Sequence, residues 1–196
     1  MSRYLKAKLK IIKRLGPLPG FTAKVDKESE EANKVEKVTS LMSDYRAKLK
    51  EKQKLKVNYG VSERQLRKLT KKAQKKSIQT GHALLKFLEM RLDSVIYMLG
   101  FCCTIPAARQ VVTHGNVLVN SRSVNIPSFQ CSQGDKISFK LKYKGGVPKD
   151  TTSYKVPSFL KRHESALEGQ VVTLAPRPGV KLQIKDSLIV EYYARK

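Results

Sequence analysis

The sequence has few cysteines, and their arrangement excludes two kinds of stabilisation. Cys102, Cys103 and Cys131 are an odd number and include an adjacent pair, which argues against a disulfide framework and for a reducing compartment. They lack the C-x-x-C spacing of a zinc site, and the three histidines are widely scattered. No apolar run reaches the length of a membrane span. We therefore predict no metal, no cofactor and no membrane insertion.

Motifs of enzymatic chemistry are also missing. No Ser/His/Asp arrangement or pair of carboxylates suggests catalysis, and the glycine-containing stretches "GPLPG" and "KGGVPK" depart from the phosphate-loop pattern. The sequence has no tryptophan, and its Tyr and Phe residues are too dispersed for an RRM-type stacking sheet. We predict that the protein is not an enzyme and has no small-molecule substrate.

Acidic residues are scarce, and basic residues are abundant. The 196 residues include 40 Lys and Arg against 16 Asp and Glu, which gives a formal net charge of +24. Such a chain repels itself, and a polyanionic partner relieves that repulsion. Nucleic acid is the favoured partner. An anionic membrane surface is the alternative, but no long basic helix carries a large aromatic and leucine face.

The basic charge is concentrated in two segments. Residues 1–24 form an arm with little apolar surface, which we expect to become ordered only on a polyanion. After an acidic linker, a helix ends at Tyr59–Gly60, and "SERQ" predicts a capping box that starts the next one. That second helix has a narrow apolar seam, Leu66, Leu69 and Ala73, and basic residues elsewhere.

The middle of the chain predicts a small α/β module. "ALLKFLEMRLDSVIYMLGF" indicates one core helix, Thr104 caps a second helix that ends at Gly115, and the small face of this helix is expected to pack on a sheet. "NVLVN", "SVNI" and "KISFKLK" are typical of strands. The runs "QVVTL" and "SLIVEYYAR" near the C-terminus also look like strands.

The stretches "RLDSVIYMLGF", "ARQVVTHGNVLVN", "VNIPSF" and "GDKI" resemble, in order and spacing, the RNA-binding module named after the fourth protein of the small ribosomal subunit. "SDYRAKLKEKQKLKVNYGVSERQLRKL" resembles the helical region of that ribosomal protein. "KIIKRLGPLPGFT" and "LIVEYYARK" are similar to the two ends of its chloroplast-type members. The chain is thus identified, over nearly its whole length, as a member of the small-subunit ribosomal protein four family.

The resemblance implies an α+β fold, in which a small helix-helix-strand RNA-binding module is inserted into a helical domain. It implies a basic arm and linker over 1–43, a helical domain over 44–88 that 155–196 completes, and the module over 89–154. Family members usually have Gly after the Asn of the hairpin turn, and here Ser121 takes that place, so Asn120 could adopt the left-handed conformation instead. The zinc-binding Cys cluster of some bacterial relatives is absent from this sequence.

The implied function is that of a structural, primary rRNA-binding protein, which nucleates assembly of the body of the small subunit and contributes to translational accuracy. The implied partners are small-subunit rRNA and neighbouring ribosomal proteins, notably the fifth, beside the path by which mRNA enters. The implied location is the chloroplast ribosome in the stroma, with the bacterial cytoplasm as the alternative. Charge and the matching motif together give the candidate rRNA-binding residues, which are Arg3, Lys6, Lys8, Lys10, Lys13, Arg14, Lys52, Lys54, Arg64, Arg67, Lys68, Lys71, Lys72, Arg91, Arg109, Gln110, His114, Asn120 and Arg122.

Two other classes remain open at this point. A stress-type RNA-binding protein that recovers stalled ribosomes could carry the same module, but such minimal proteins lack the long upstream helical region. Pseudouridine synthases also carry it, and they use the Asp of an Arg-Leu-Asp motif in catalysis. Here Arg91-Leu92-Asp93 lies within the predicted core helix, and we interpret Asp93 as a structural carboxylate that pairs with a nearby base or cap.

Overall fold

The computed structural model describes residues 7–22, 44–77, 79–140, 156–163, 167–176 and 182–194. The chain divides into two compact units, a helical unit of Met1–Leu84 with Leu182–Lys196, and a sheet unit of Leu85–Lys181. Both helices and strands are present, as the predicted α+β class requires. The C-terminal segment returns to the helical unit at Leu182, whereas the sequence predicted a return at residue 155, because residues 156–171 contain strands that belong to the sheet unit.

In the helical unit, the end of α2 and the start of α3 are determined by residues next to them in the sequence. Its elements are α1 (Lys8–Leu15), α2 (Asp44–Asn58), α3 (Glu63–Lys76), the start of α4 (Thr80–Glu89) and α7 (Asp186–Ala194). Gly60 follows α2 with a positive φ of 58°, which glycine adopts without strain. The predicted capping box starts α3: Gln65 N–H donates to Ser62 Oγ at 3.3 Å, and Ser62 N–H donates to Gln65 Oε1 at 3.0 Å.

The prediction of a strand over residues 187–195 is wrong, because this segment is helix α7. Ile189 and Tyr192, three residues apart, are buried on one helical face, and α7 packs against α2 and α3. A short apolar run does not by itself distinguish a strand from a buried helix. The helical conformation of this segment is stabilised because it packs against α2 and α3.

The N-terminal arm contains an ordered part. Ile11, Ile12 and Leu15 of α1 are buried, and α1 packs on α2. Gly20 N–H donates to the side-chain oxygen of Asn58 at 2.9 Å, which ties the turn after α1 to the end of α2. The expectation that the whole arm requires a polyanion to fold is therefore wrong for residues 7–22. Arg3, Lys6 and the predicted linker up to residue 43 lie outside the described residues.

The sheet unit combines the end of α4 with α5 (Leu92–Met98), α6 (Ile105–Thr113) and five strands. The single core helix predicted from Ala83 to Phe101 is in fact two helices, α4 and α5. At the break, Arg91 has extended backbone angles and forms an antiparallel bridge with Gln130. The first N–H groups of α5 donate to carbonyls of the loop 127–129, so a distant loop satisfies the helix end.

Helix α6 begins and ends as predicted, but its partner differs. The Thr104 hydroxyl accepts from Ala107 N–H at 3.3 Å, and Gly115, with a φ of 69°, follows the last turn. Ala108 and Val112 are completely buried. The small face of α6 packs chiefly against α5, whereas the sequence predicted the sheet.

In the part of this unit that the structure describes, five strands form an antiparallel sheet in the order β2-β1-β3-β5-β4. They are β1 (Val117–Val119), β2 (Arg122–Ser123), β3 (Lys136–Phe139), β4 (Leu160–His163) and β5 (Glu168–Val171). Strand β4 was not predicted from the sequence. Strand β2 is shorter than the predicted strand "SVNI" and starts one residue earlier. Strand β5, which was predicted over residues 170–174, starts at residue 168. The register places Val119, Ile137, Gly169 and Arg162 in one row. Gly169 in this row lies against the buried Leu99, which directly follows α5. This face of the sheet therefore packs on the helices of the sheet unit, which we call the helical layer.

Candidate nucleic-acid interface

Among the described residues of the helical unit, exposed charge is most concentrated on α3. Leu66, Thr70 and Ala73 are its buried residues, and Leu69 of the predicted seam is only half-buried. The rest of the circumference carries the α3 cationic face, which comprises Arg64, Arg67, Lys68, Lys71, Lys72, Lys75 and Lys76, all exposed. No acid occurs between Arg64 and Lys76, so i, i+4 neighbours on this face are cations that repel each other.

The only acidic residue of α3, Glu63, faces the inside of the helical unit. Its carboxylate accepts from Tyr193 Oη at 2.8 Å and from Lys52 Nζ at 3.2 Å, and Lys56 Nζ lies 3.8 Å away. Burial raises the pKa of Glu63, but these hydrogen bonds outweigh it, so that the pKa lies below its ordinary value. Burial, and then the bond to Glu63, raises the pKa of Tyr193 above its usual range. This carboxylate binds side chains of α2 and α7.

A second set of exposed cations lies on α1. Lys10, Lys13 and Arg14 are exposed on the side of the helix away from the buried Ile11, Ile12 and Leu15. Lys8 is also exposed, and its ammonium lies 5.3 Å from the centroid of the Phe21 ring. Folding of the arm therefore places these predicted contacts on an ordered helix.

Lys52 and Lys54 do not belong to this exposed charge. Lys52 is only 5% exposed, and its ammonium donates to Glu63 and to Tyr192 Oη at 3.2 Å. It also lies 4.3 Å from the centroid of the Tyr192 ring. Lys54 pairs with Glu51 at 2.7 Å in a partly buried position. Lys52 connects α2 to α3 and α7, and Lys54 forms its ion pair within α2, while the RNA contacts predicted for both lysines stay a prediction.

Arg91 and Arg109 converge on a single carboxylate in the sheet unit. Asp93 is completely buried. Arg91 Nε and Nη2 donate to its Oδ1 and Oδ2 at 3.0 and 2.9 Å, and Arg109 Nε and Nη2 donate to Oδ2 at 3.1 and 2.6 Å. Ser94 N–H also donates to Oδ1, at 3.0 Å. The predicted structural role of Asp93 is confirmed, although the Arg-Leu-Asp triplet lies at the start of α5 and not inside one long helix.

This network changes the interpretation of the two arginines. The Arg91 side chain is 5% exposed and the Arg109 side chain is 19% exposed. A guanidinium that is bound to a buried carboxylate compensates that charge, and its removal would leave the charge uncompensated inside the fold. Arg91 is therefore a structural residue. The Arg109 side chain is bound to Asp93, and only a small part of it is exposed to solvent. The sequence did not reveal this, because the i+16 contact from Arg109 to Asp93 depends on how α6 packs against α5.

The other predicted residues of the sheet unit lie near the corner between α6 and β1. Gln110 and His114 are exposed at the end of α6, and Arg122 is exposed on β2. Asn120 and Ser121 form the two-residue hairpin turn with φ values of 50° and 65°, so Asn120 adopts the predicted left-handed conformation and Ser121 does as well. The Asn120 side chain donates to Asp135 Oδ1 at 2.8 Å and accepts from Lys136 N–H at 2.9 Å, which gives it a role in the turn.

The sequence analysis missed three exposed lysines of the sheet unit. Lys136 and Lys161 lie on either side of Gln170 in one row across β3, β5 and β4, on the side of the sheet opposite the helical layer. The Lys140 ammonium lies 4.0 Å from the position that a β-carbon at Gly115 would occupy, close to the corner after α6. The alternation of "KISFK" signals that Lys136 and Lys140 share a face.

No group of three or more metal-ligating side chains forms a site among the described residues. Cys102 and Cys131 are buried and Cys103 is exposed, and all three are free thiols. Burial is the main cause that raises the pKa of Cys102 and of Cys131 to about 12. Within the described ranges, no helix is both long enough and apolar enough to cross a bilayer.

Comparison with known proteins agrees with this geometry. Residues 3–89 match the family described as ribosomal protein S4/S9 N-terminal domain, and residues 90–137 match the S4 domain. These two matches define the class as an S4-domain protein with a ribosomal helical region. The chain is 44% identical over 201 residues to small ribosomal subunit protein uS4 of Thermosynechococcus vestitus. It is 41% identical over 214 residues to uS4c of Prototheca wickerhamii, and 42% identical over 205 residues to uS4c of Chara vulgaris.

Each of these alignments covers 100% of this chain and 100% of the relative. The chain belongs to the uS4 family of small ribosomal subunit proteins. The family predicted from the sequence motifs is thereby confirmed over the whole chain. The strands β4 and β5 lie beyond both family matches, which end at residues 89 and 137.

Proposed function

We propose that this chain is a structural constituent of the small ribosomal subunit that binds the subunit's RNA. The full-length relatives are named small ribosomal subunit proteins, which supports the assignment to the particle. The observation that carries the RNA-binding part is the α3 cationic face, in which seven exposed cations on one helix have no acidic residue among them. Phosphates that oppose this face compensate the repulsion between its charges.

The structure also supports a ranking of the predicted contacts. The α3 cationic face and the exposed cations of α1 form the main proposed interface of the helical unit. Gln110, His114 and Arg122 form a second set on the sheet unit, which we extend by Lys136, Lys140 and Lys161 because they are exposed. The buried and paired residues Lys52, Lys54, Arg91 and Arg109 are left out of the interface.

A filter-binding titration over a range of salt concentrations tests the RNA-binding proposal. If about six to ten cations contact phosphates, the affinity for small-subunit rRNA should fall by about 10³- to 10⁵-fold between 50 and 200 mM salt, by analogy with DNA. A variant in which Lys68, Lys71 and Lys75 are replaced by Gln should bind more weakly and with a shallower salt dependence. A wild-type affinity that does not change with salt would contradict an electrostatic interface.

The assignment to the particle needs a separate measurement. We expect the protein to co-sediment with small ribosomal subunits at low salt. A protein found only in the unbound fraction of a lysate that contains intact subunits would contradict the structural role.

Finer features of the role follow from the family resemblance. We propose that the chain binds rRNA early and nucleates assembly of the subunit body, and that it contributes to translational accuracy through contact with the fifth small-subunit protein beside the path of mRNA. The relatives named uS4c favour the chloroplast ribosome, with the bacterial cytoplasm as the alternative because other relatives are cyanobacterial. Omission of the protein from reconstitution should reduce the yield of subunit bodies.

We also propose that the chain has no catalytic activity. The motif that raised the alternative, Arg91-Leu92-Asp93, has its carboxylate completely buried and held by two guanidinium groups. A catalytic aspartate must reach the reacting atoms, and this one is covered by its partners. Incubation of the protein with a uridine-containing transcript should form no pseudouridine.

A further inference from the structure

We propose that the open face of the sheet, on the side opposite the helical layer, binds the sugar-phosphate surface of double-stranded RNA. The inference rests on the proposed RNA-binding function and deepens it by naming a second RNA surface and the form of RNA that fits it. The S4-domain match ends at residue 137 and therefore covers neither β5 nor β4, two of the strands that form this face.

The strand register separates the basic residues of the sheet unit into two sets on opposite sides of the sheet. Residues directly opposite each other on paired strands lie on the same face. Arg122 is opposite Val119, in the row that faces the helical layer. Gln110 and His114 are exposed on α6, which belongs to that layer. The sheet itself separates this first set from the lysines on its other side.

In the described strands and at the end of β3, three lysines lie on the open face. Lys136 and Lys161 lie on either side of Gln170, two strand spacings or about 10 Å apart. The Lys140 N–H donates to the carbonyl of Asn116 at 3.0 Å, so strand pairing continues past β3. Lys140 therefore lies on the same side as Lys136, about 13 Å along the strand. All three are exposed, and none of their ammonium groups has a hydrogen-bond or ion-pair partner among the described residues.

The row between these lysines, across β3, β5 and β4, contains polar residues and no Lys or Arg. It consists of Ser138, Glu168 and His163. Glu168 is exposed and forms no ion pair with a described residue. A carboxylate repels phosphate, whereas it accepts a hydrogen bond from a ribose 2′-hydroxyl, which is both donor and acceptor. The centre of the open face thus suits sugars, and its borders suit phosphates.

The aromatic residue of β3 is turned away from the open face. Phe139 is opposite the buried Val117, and its ring packs against Phe101 with 5.2 Å between the centroids. In the described strands, no Phe, Tyr or Trp side chain lies on the open face. Single strands are bound largely through stacking of bases on such rings. An RNA duplex is instead recognised through phosphates and 2′-hydroxyls across its wide, shallow minor groove, and a polar sheet face bordered by lysines is complementary to that groove.

The experiment uses the full chain and three ligands, which are an RNA duplex of about 16 base pairs, a DNA duplex of the same sequence and single-stranded oligouridylate. Lys136→Gln with Lys161→Gln is the open-face variant, and Lys68→Gln with Lys71→Gln on α3 is its charge-matched control. Ser138→Ala removes one hydroxyl from the centre of the face. The readouts are the affinity and the slope of its logarithm against the logarithm of salt concentration. A thermal midpoint close to that of wild type, measured by circular dichroism, verifies each fold.

For the RNA duplex, the open-face variant should reduce the magnitude of the slope by about 1.4–1.8, the value for two phosphate contacts, and its slope on oligouridylate should match wild type. The α3 control should reduce the slope on both RNAs. Ser138→Ala should weaken binding of the RNA duplex by about 2- to 10-fold and leave the DNA duplex unchanged, because DNA lacks the 2′-hydroxyl.

Three results would overturn the proposal: a wild-type slope of the open-face variant on the RNA duplex, an equal effect of that variant on both RNAs, or an effect of Ser138→Ala that does not differ between the duplexes. A wild-type protein that shows no salt-dependent affinity for rRNA would instead refute the proposed function itself.

Discussion

Replacement of Asp93 by Asn should destabilise the sheet unit strongly, because Asp93 is a completely buried carboxylate between two arginines. It accepts five hydrogen bonds, four of them from guanidinium groups whose side chains are only 5% and 19% exposed. The amide of Asn has nearly the same volume, but it carries no charge and one of its two polar atoms is a donor. Two guanidinium groups would then lose their counter-charge inside the fold.

Removal of one partner from a buried ion pair costs about 3–5 kcal/mol. For a unit of this size, such a loss lowers the thermal midpoint by at least about 12 °C. The assay is thermal or urea unfolding of the RNA-free protein followed by circular dichroism. Glu168→Gln is the matched control, since it makes the same chemical change at an exposed position of the same unit and should shift stability by less than about 0.5 kcal/mol.

A double variant tests whether the effect arises from charge. In Asp93→Asn combined with Arg109→Gln, one of the two uncompensated guanidinium groups is removed, so the double variant should lose less stability than the sum of the single variants. If Asp93→Asn costs less than about 1 kcal/mol, or if the two losses simply add, then the network does not stabilise the fold in the way that its geometry indicates.

Three further outcomes follow from the structure. The depressed pKa of Glu63 contributes stability that is fully present above its ordinary value of 4.5 and is lost as pH falls through the lower folded value. The thermal midpoint of wild type should therefore fall as the pH is lowered below about 4.5. In Glu63→Gln, this acid-induced decrease of the midpoint should be smaller. In native protein, maleimide should label the exposed Cys103 alone, with three labels in denaturant by mass spectrometry, and fast labelling of all three would contradict the burial of the other two. Gly169→Ala should cost about 1–3 kcal/mol in urea unfolding, because its β-carbon would lie 2.6 Å from Leu99 Cδ1, and the double variant with Leu99→Ala should lose less stability than the sum of the two single losses.

Several local features were predictable because they depend on neighbouring residues. The capping box at Ser62, the Thr104 cap and the stop at Gly115 all involve partners within four residues. The left-handed Asn120 follows from its tolerance of that conformation in a two-residue turn. The exposure of the α3 cations follows from a helical pattern in which only one narrow side is apolar.

The errors concern segments whose state depends on distant partners. Arg91 interrupts a run of good helix formers because Gln130, almost forty positions later, bridges its backbone. The segment 186–194 is a helix because α2 and α3 offer it a surface to pack on. Propensity and periodicity do not contain this information, and tertiary contacts override both.

The sequence by itself determined the family, the excess of positive charge and the helix that displays most of it, because composition, ordered motifs and helical periodicity are properties of the chain. Only the tertiary structure decided which cations remain available to a partner. Lys52 and Arg91 carry the same charge as the residues of α3, yet each lies buried against a carboxylate. The physical reason is that a buried charge requires a counter-charge close to it, and the fold alone brings Glu63 and Asp93 to those positions.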